Sequence, residues 1–142
     1  MCFNMIGDNN VFNLRYNKRN KWIGQTGQKH GFCCFDTRDH AIRACFKLLV
    51  NYIRSGHDTY RKIINRFAPP SENDTQHYLD FVCDNPFIDP DHEVVTYDDL
   101  LRLMAKMAKM ENGVNTSHIE LAKILQVYET NLNFNIYSRI KM

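Results

Sequence analysis

The sequence predicts a single domain that is mostly α-helical and contains little β structure. At 142 residues the chain is long enough to bury one hydrophobic core, and a second domain is not expected. After residue 37, apolar residues recur at intervals of three and four, which is the spacing of a helix face. Only residues 31–35 have the composition of a strand before the C-terminal tail is reached. Helices therefore dominate the expected architecture.

Two helices are predicted in the first half of the chain. Thr37 is placed to cap the first, which ends near Ser55-Gly56 and is expected to be the central helix of the core. Its apolar face comprises Ala41, Ile42, Cys45, Leu48, Leu49 and Tyr52. A shorter helix is predicted from about Thr59 to Arg66. Ala68-Pro69-Pro70 ends it, because proline lacks a backbone donor and restricts the residue before it.

Capping patterns predict three further helices and a tail. Asn73 or Asp74 caps the third helix, Thr96 opens the fourth, and Ser117 opens a last helix to about residue 126. We therefore divide the chain into a domain over residues 1–126 and a C-terminal tail or arm over residues 127–142. Apolar and polar residues roughly alternate between Leu132 and Ile140, which fits either a strand or an arm that docks on a partner protein.

Glu111 has the clearest chemical implication of any residue in the chain. At about 100° per residue it falls on the apolar stripe of the fourth helix. That stripe comprises Leu100, Leu103, Met104, Met107 and Glu111. Apolar neighbours remove water from the carboxylate, and the last helical turn places it at the negative end of the helix dipole. Both effects raise the pKa of Glu111, as a general acid requires at neutral pH.

A structural interpretation of Glu111 is also open. Asn112-Gly113 predicts that the helix ends here, since glycine commonly adopts a left-handed conformation after the last turn. A carboxylate at a frayed end can point into solvent or pair with a nearby arginine, and structural ion pairs also shift pKa values.

Composition argues against several classes of function. Lys and Arg total 18 and Asp and Glu total 16, so nucleic acid is not an expected partner. The basic and aromatic patch from Arg15 to Trp22 is interpreted first as a solvated loop, second as a contact for a glycan or anionic polymer, and third as a nucleic-acid contact. The odd count of five cysteines and the adjacent Cys33-Cys34 indicate reduced thiols. Scattered histidines lack metal-ligand spacing, so neither a metal nor another cofactor is expected.

Neither a signal peptide nor a transmembrane segment is expected. Residues 1–11 lack a basic start and an apolar run, and no apolar stretch is long enough to cross a bilayer. We therefore expect synthesis in the cytoplasm, with another route of release if the protein acts outside.

Several segments resemble a known family. They are Asn9–Arg15 with Trp22–Gln25, Gly31–Ala44, Arg66–Tyr78, and Met110-Glu111-Asn112-Gly113. The most specific piece is Pro69-Pro70-Ser71-Glu72-Asn73-Asp74-Thr75. Over about residues 9–126, the chain resembles the lysozyme-like, virion-associated murein-degrading proteins of phages and prophages, which are related to the lysin of membrane-containing double-stranded RNA phages.

The resemblance implies a lysozyme-like fold and degradation of bacterial peptidoglycan, after release from a bacterial cytoplasm or delivery in a phage particle. The bond would lie between sugars, for a muramidase or lytic transglycosylase, or in the peptide crosslinks, for an endopeptidase. In lysozyme-like enzymes the acid lies at the end of a core helix facing the cleft, and Glu111 matches that position. A transglycosylase can use one Glu as acid and then base, so it needs no second carboxylate.

The remaining candidate site residues have both functional and structural interpretations. Glu72 is the second catalytic candidate, for holding a water or stabilising positive charge, whereas Asp74 is assigned to capping. The substrate-binding candidates are Asn13, Trp22, Asn73 and Tyr78. Tyr78 is as suited to packing in the core as to orienting a substrate acetamide, and Trp22 as suited to stapling the N-terminal segment as to stacking on a sugar.

A non-catalytic virion or tail protein that keeps the fold is the rival hypothesis. The family pattern has a histidine immediately before its Glu-Asn-Gly, where this chain has Met110. Such a protein would bind other virion proteins through its surface and its tail.

Overall fold

A computed structural model describes residues 5–94 and 96–132, with side chains through residue 127. The described part confirms the mostly helical class with little sheet. Its elements are β1 (Gln25–Lys29), β2 (Phe32–Phe35), α1 (Arg38–Arg54), α2 (Tyr60–Phe67), α3 (Thr75–Val82), α4 (Tyr97–Asn112) and α5 (His118–Leu132). None of the helices described is both long and apolar enough to span a membrane.

The helices begin at the residues whose side chains cap them. Thr37, Thr59 and Thr96 each accept a hydrogen bond from the backbone N–H three residues later, at 3.0 to 3.2 Å. Asp74, rather than Asn73, caps α3 by accepting from the backbone N–H of His77 at 3.1 Å. Each bond satisfies one of the donors that a helix leaves unpaired in its first turn. The predicted starts of these helices are therefore confirmed to within a residue or two.

All five helices contribute buried apolar residues to the core. Leu49 of α1 and Leu121 of α5 are fully buried, and the four apolar members of the α4 stripe are each at most 1% exposed. Burying a side chain of this size contributes about 1.5 to 3 kcal/mol. The stripe therefore fixes the rotation of α4 about its axis, and with it the direction in which Glu111 points.

One strand and one helix end differ from the prediction. β1 was not predicted, because Gln-Thr-Gly-Gln-Lys has neither alternation nor apolar character; it forms by antiparallel pairing with β2 across a tight turn. His30 and Gly31 in that turn have φ values of 50° and 85°, as a two-residue hairpin loop requires. The predicted end of α5 near residue 126 is also wrong. No Gly or Pro follows to stop the helix, which runs to Leu132, while residues 133–142 of the predicted arm lie outside the described residues.

Candidate active site

A cleft of about 730 Å³ opens beside the C-terminal end of α4. The N-terminal segment contributes residues 13–18, 20 and 22 to its lining, and the chain from the end of α2 to the start of α3 contributes residues 66–69, 72 and 73. The rest of the lining comes from Phe32 of β2, Leu48 and Tyr52 of α1, and Glu111 of α4. Five of the six predicted site residues, all except Tyr78, therefore line one cavity.

Glu111 is partly buried, and both of its carboxylate oxygens are hydrogen-bonded. Oε1 accepts from Asn13 Nδ2 at 2.9 Å, and Oε2 accepts from the hydroxyl of Tyr78 at 2.8 Å. Loss of water raises the pKa of Glu111, against the opposing effects of these two hydrogen bonds and of the positive charge of Arg15. The desolvation that the apolar stripe predicts is the largest of these influences. A carboxyl group of this kind can donate a proton to a group bound in the cleft.

Asn13 reaches Glu111 because buried amides hold the N-terminal segment against the end of α4. Its backbone is left-handed, with φ 53°, a conformation that asparagine adopts more readily than most residues. Asn112, which is 7% exposed, donates to Val11 O at 2.8 Å and to Asn13 Oδ1 at 3.1 Å. Asn10 is fully buried and donates to the carbonyls of Leu14 and Cys33, both at 2.9 Å. The amide of Asn13 is thereby oriented before any ligand binds.

Tyr78 lies in the core, which is one of the two roles that the sequence left open, and its hydroxyl also contacts Glu111. Its ring is 5% exposed and packs in the core, yet its hydroxyl hydrogen-bonds Glu111. Burial, together with the negative charge of Glu111, raises the pKa of Tyr78 well above its usual value, so the phenol remains a donor. The Tyr78 hydroxyl therefore holds the carboxylate of Glu111 by a hydrogen bond. Contact between Tyr78 and the substrate stays a prediction.

Glu72 lies at the cleft in an exposed ion pair. Its Oε1 is 3.5 Å from Arg15 Nη2, and the guanidinium of Arg15 lies over the ring of Phe32 at 5.0 Å from the ring centroid. The Pro-Pro loop places Glu72 there, because Pro69 O accepts from its backbone N–H at 3.0 Å and the Thr75 hydroxyl donates to Ala68 O at 2.6 Å. An exposed pair of this kind contributes at most about 1 kcal/mol, so a ligand can displace it.

A tight turn brings Trp22 to the cleft. The backbone N–H of Gln25 donates to Trp22 O at 3.0 Å, and Trp22 N donates to Gln25 Oε1 at 3.2 Å. Gly24 has φ +82°, and a Cβ there would lie 2.3 Å from His40 Nδ1, so only glycine allows this close approach to α1. The glycine two residues after Trp22 therefore has a structural reason, and Trp22 lines the cleft.

Other residues that line the cleft were not site candidates from the sequence, and they include Leu48, Tyr52, Arg66 and Phe67. Leu48 and Tyr52 were assigned to the core face of α1, and both are only partly buried. The width of that apolar face is the signal that could have found them, because a face wider than the core can cover leaves an edge in a groove. Arg66 carried no comparable local signal. Among residues 5–94 and 96–132, no three His, Cys, Asp or Glu side chains are grouped to hold a metal ion.

Fold and site together define a small, mostly helical protein with a desolvated carboxylate in an open cleft. No protein-family model matches the chain. It is similar to Protein P5 of Pseudoalteromonas phage PM2, with 35% identity over 82 residues, which are 57% of this chain and 51% of that protein. The chain thus spans about half the length of this relative. The similarity links the chain to a phage protein, in agreement with the phage association expected from its sequence.

Proposed function

We propose that the protein degrades bacterial peptidoglycan by cleaving its glycan strands, with Glu111 as the acid. The observation that carries this proposal is the position of Glu111, which ends a core helix at a cleft with its carboxyl group desolvated and its pKa raised. A glycosidic oxygen bound beside it would receive the proton as the bond to the sugar carbon breaks. The lysozyme-like resemblance of the sequence supports the same assignment, and the phage relative supports action in a phage or prophage setting.

The fate of the sugar after bond cleavage distinguishes two mechanisms. In a lytic transglycosylase, deprotonated Glu111 would take the proton of the sugar's own 6-hydroxyl as that oxygen closes on the anomeric carbon. In a muramidase a water would add to that carbon instead, and Glu72 is the second carboxylate at the cleft that could hold it. Glu111 alone suffices for the first mechanism.

Mass spectrometry of the soluble fragments from purified peptidoglycan tests the proposal. Wild-type protein should release anhydromuramyl or reducing-end sugar products, and Glu111→Gln, which keeps size and loses the proton, should release neither. Glu93→Gln is the matched control, because Glu93 is exposed and lies outside the cleft. Products containing only peptides would show an endopeptidase and exclude Glu111 as the acid of a glycan cleavage.

A non-catalytic virion or tail protein is the second candidate. One observation favours it: Asn13 and Tyr78 already occupy both oxygens of Glu111, so the carboxylate also ties the N-terminal segment and α3 to α4. This candidate predicts that wild-type protein releases no fragments and that Glu111→Gln lowers the melting temperature. The catalytic candidate predicts a stability equal to or above that of wild type, because Gln removes a desolvated charge.

A further inference from the structure

Arg66 is a second charged feature of the cleft, separate from the Glu111 cluster. It lies in the last turn of α2 and is exposed, and its guanidinium carbon lies 5.1 Å from the centroid of the Tyr52 ring. Burial raises the pKa of Tyr52, and the positive charge of this guanidinium opposes the rise. An arginine stacked on an aromatic face loses less freedom on binding an anion than a free lysine does.

The charge of Arg66 is not neutralised by the protein in the part of the chain that the structure describes. The two other cations of α2 both have carboxylate partners: Arg61 pairs with Asp91 at 2.8 Å and Lys62 with Asp58 at 3.7 Å. Arg61 and Lys62 do not line the cleft, whereas Arg66 does. No described carboxylate lies within ion-pair distance of Arg66. The one cation of α2 that faces the cleft is thus also the one left for an external anion.

The cation and the proton donor come from different elements that line the same cleft. Arg66 lies in the last turn of α2 over Tyr52, whereas Glu111 lies in the last turn of α4 and is held by Asn13 and Tyr78. An anion bound at Arg66 would therefore be held by a different set of side chains from the one around Glu111.

We propose that Arg66, stacked on Tyr52, forms a carboxylate subsite that selects glycans bearing the lactyl or peptide carboxylates of muramyl residues over uncharged glycans. This inference rests on the proposed function and adds the recognition element of the same cleft. A carboxylate matches the planar, two-pronged donor geometry of a guanidinium. Trp22 and Phe67 in the lining supply apolar surface for the sugar faces of the same strand.

Calorimetric binding of two probes of equal length tests the subsite. One is a peptide-free oligosaccharide of alternating N-acetylglucosamine and N-acetylmuramic acid, which carries lactyl carboxylates, and the other is an uncharged chitooligosaccharide. Measurements in the Glu111→Gln background prevent cleavage during titration. Arg66→Gln should weaken binding of the muramyl probe about tenfold and binding of the chitin probe less than about twofold. Arg66→Lys should fall between wild type and Gln, because it keeps the charge and loses the planar contact.

Lys62→Gln is the matched control, since it removes one positive charge from the same helix outside the cleft and should change neither affinity. Equal weakening of both probes by Arg66→Gln would overturn the inference. So would an Arg66-dependent affinity for a phosphate-bearing wall polymer or single-stranded DNA that exceeds the affinity for the muramyl probe. If Glu111-dependent sugar products form while Arg66→Gln binds both probes as wild type does, only this inference fails. If neither probe binds and no products form, the proposed function fails with it.

Discussion

Two cavities lie beside α4, and each holds a charged side chain of this helix in a different way. The second cavity, about 590 Å³, is lined by Arg102, Lys106 and Lys109 of α4, the end of α3 and residues 114–118. There Lys106 pairs with Asp84 and lies 4.9 Å from the Phe81 ring centroid. In the cleft, Glu111 is desolvated and held by neutral donors. A charge paired at the surface contributes little to stability, whereas a desolvated carboxylate at an opening is a candidate for acid–base chemistry.

The largest expected contrast is in turnover of peptidoglycan. Glu111→Gln should lower kcat/KM for release of soluble sugars by a hundredfold or more, because a positioned acid typically contributes about 10² to 10⁴ in rate. Lys106→Gln, which removes a charge from the second cavity, should leave kcat/KM unchanged. A comparable loss in both variants would place the chemistry elsewhere or show that α4 as a whole had been disturbed.

The next contrast is in stability. Asn112→Ala removes an amide that donates to Val11 O and Asn13 Oδ1 in a buried setting, so it should lower the free energy of unfolding by about 3 kcal/mol. Arg102 is exposed at the second cavity, so Arg102→Ala should change the free energy of unfolding by no more than about 0.5 kcal/mol. Urea unfolding of both variants measures the difference. A small effect of Asn112→Ala would mean that other contacts hold the N-terminal segment against α4.

The sequence predicted features that lie within one helix, but it did not predict contacts between segments that are distant along the chain. The helix starts and the burial of the α4 stripe depend on residues within one helix, so capping patterns and periodicity were sufficient. The partners of Glu111 were not accessible in this way, because Asn13 and Tyr78 are 98 and 33 residues distant along the chain. Both residues were candidates for substrate binding, but no local pattern indicates that they meet at one carboxylate.

Arg66 and β1 are two features that the sequence did not predict. Arg66 looks like any cation in the last turn of a surface helix, and only the packing of α2 against α1 places it over Tyr52. β1 has a polar sequence, and its conformation comes from pairing with β2. In both cases tertiary contacts decide a property that short-range sequence patterns do not contain.

A smaller contrast compares two buried tyrosines. Tyr78→Phe removes the hydroxyl that supports Glu111, and it should lower kcat/KM about tenfold and move the basic limb of its pH profile upward. The direction follows because the hydrogen bond from Tyr78 lowers the pKa of Glu111, so its loss raises that pKa. Tyr60, whose pKa burial raises to about 12, lines the second cavity, and Tyr60→Phe should leave the limb in place. An unchanged limb in Tyr78→Phe would contradict the assignment of Glu111 as the titrating acid.

The smallest expected effect is a displacement of the basic limb of the pH profile in a variant that keeps Glu111 and its two hydrogen bonds. Desolvation raises the pKa of Glu111, and the positive charge of Arg15 partly offsets the rise, so Arg15→Gln should raise the pKa further. Because the acid acts in its protonated form, kcat/KM falls as the pH rises through this pKa, and the basic limb should move to higher pH. Arg102→Gln removes the same charge at the second cavity and should not move the limb. High salt should reduce the displacement of the basic limb in Arg15→Gln, because Arg15 is largely exposed and salt screens its charge. The part of the Glu111 pKa that comes from desolvation should not depend on salt. If the acidic limb moved to higher pH in Arg15→Gln while the basic limb stayed in place, Glu111 would be acting in its deprotonated form as a base, and the role assigned to it would be reversed.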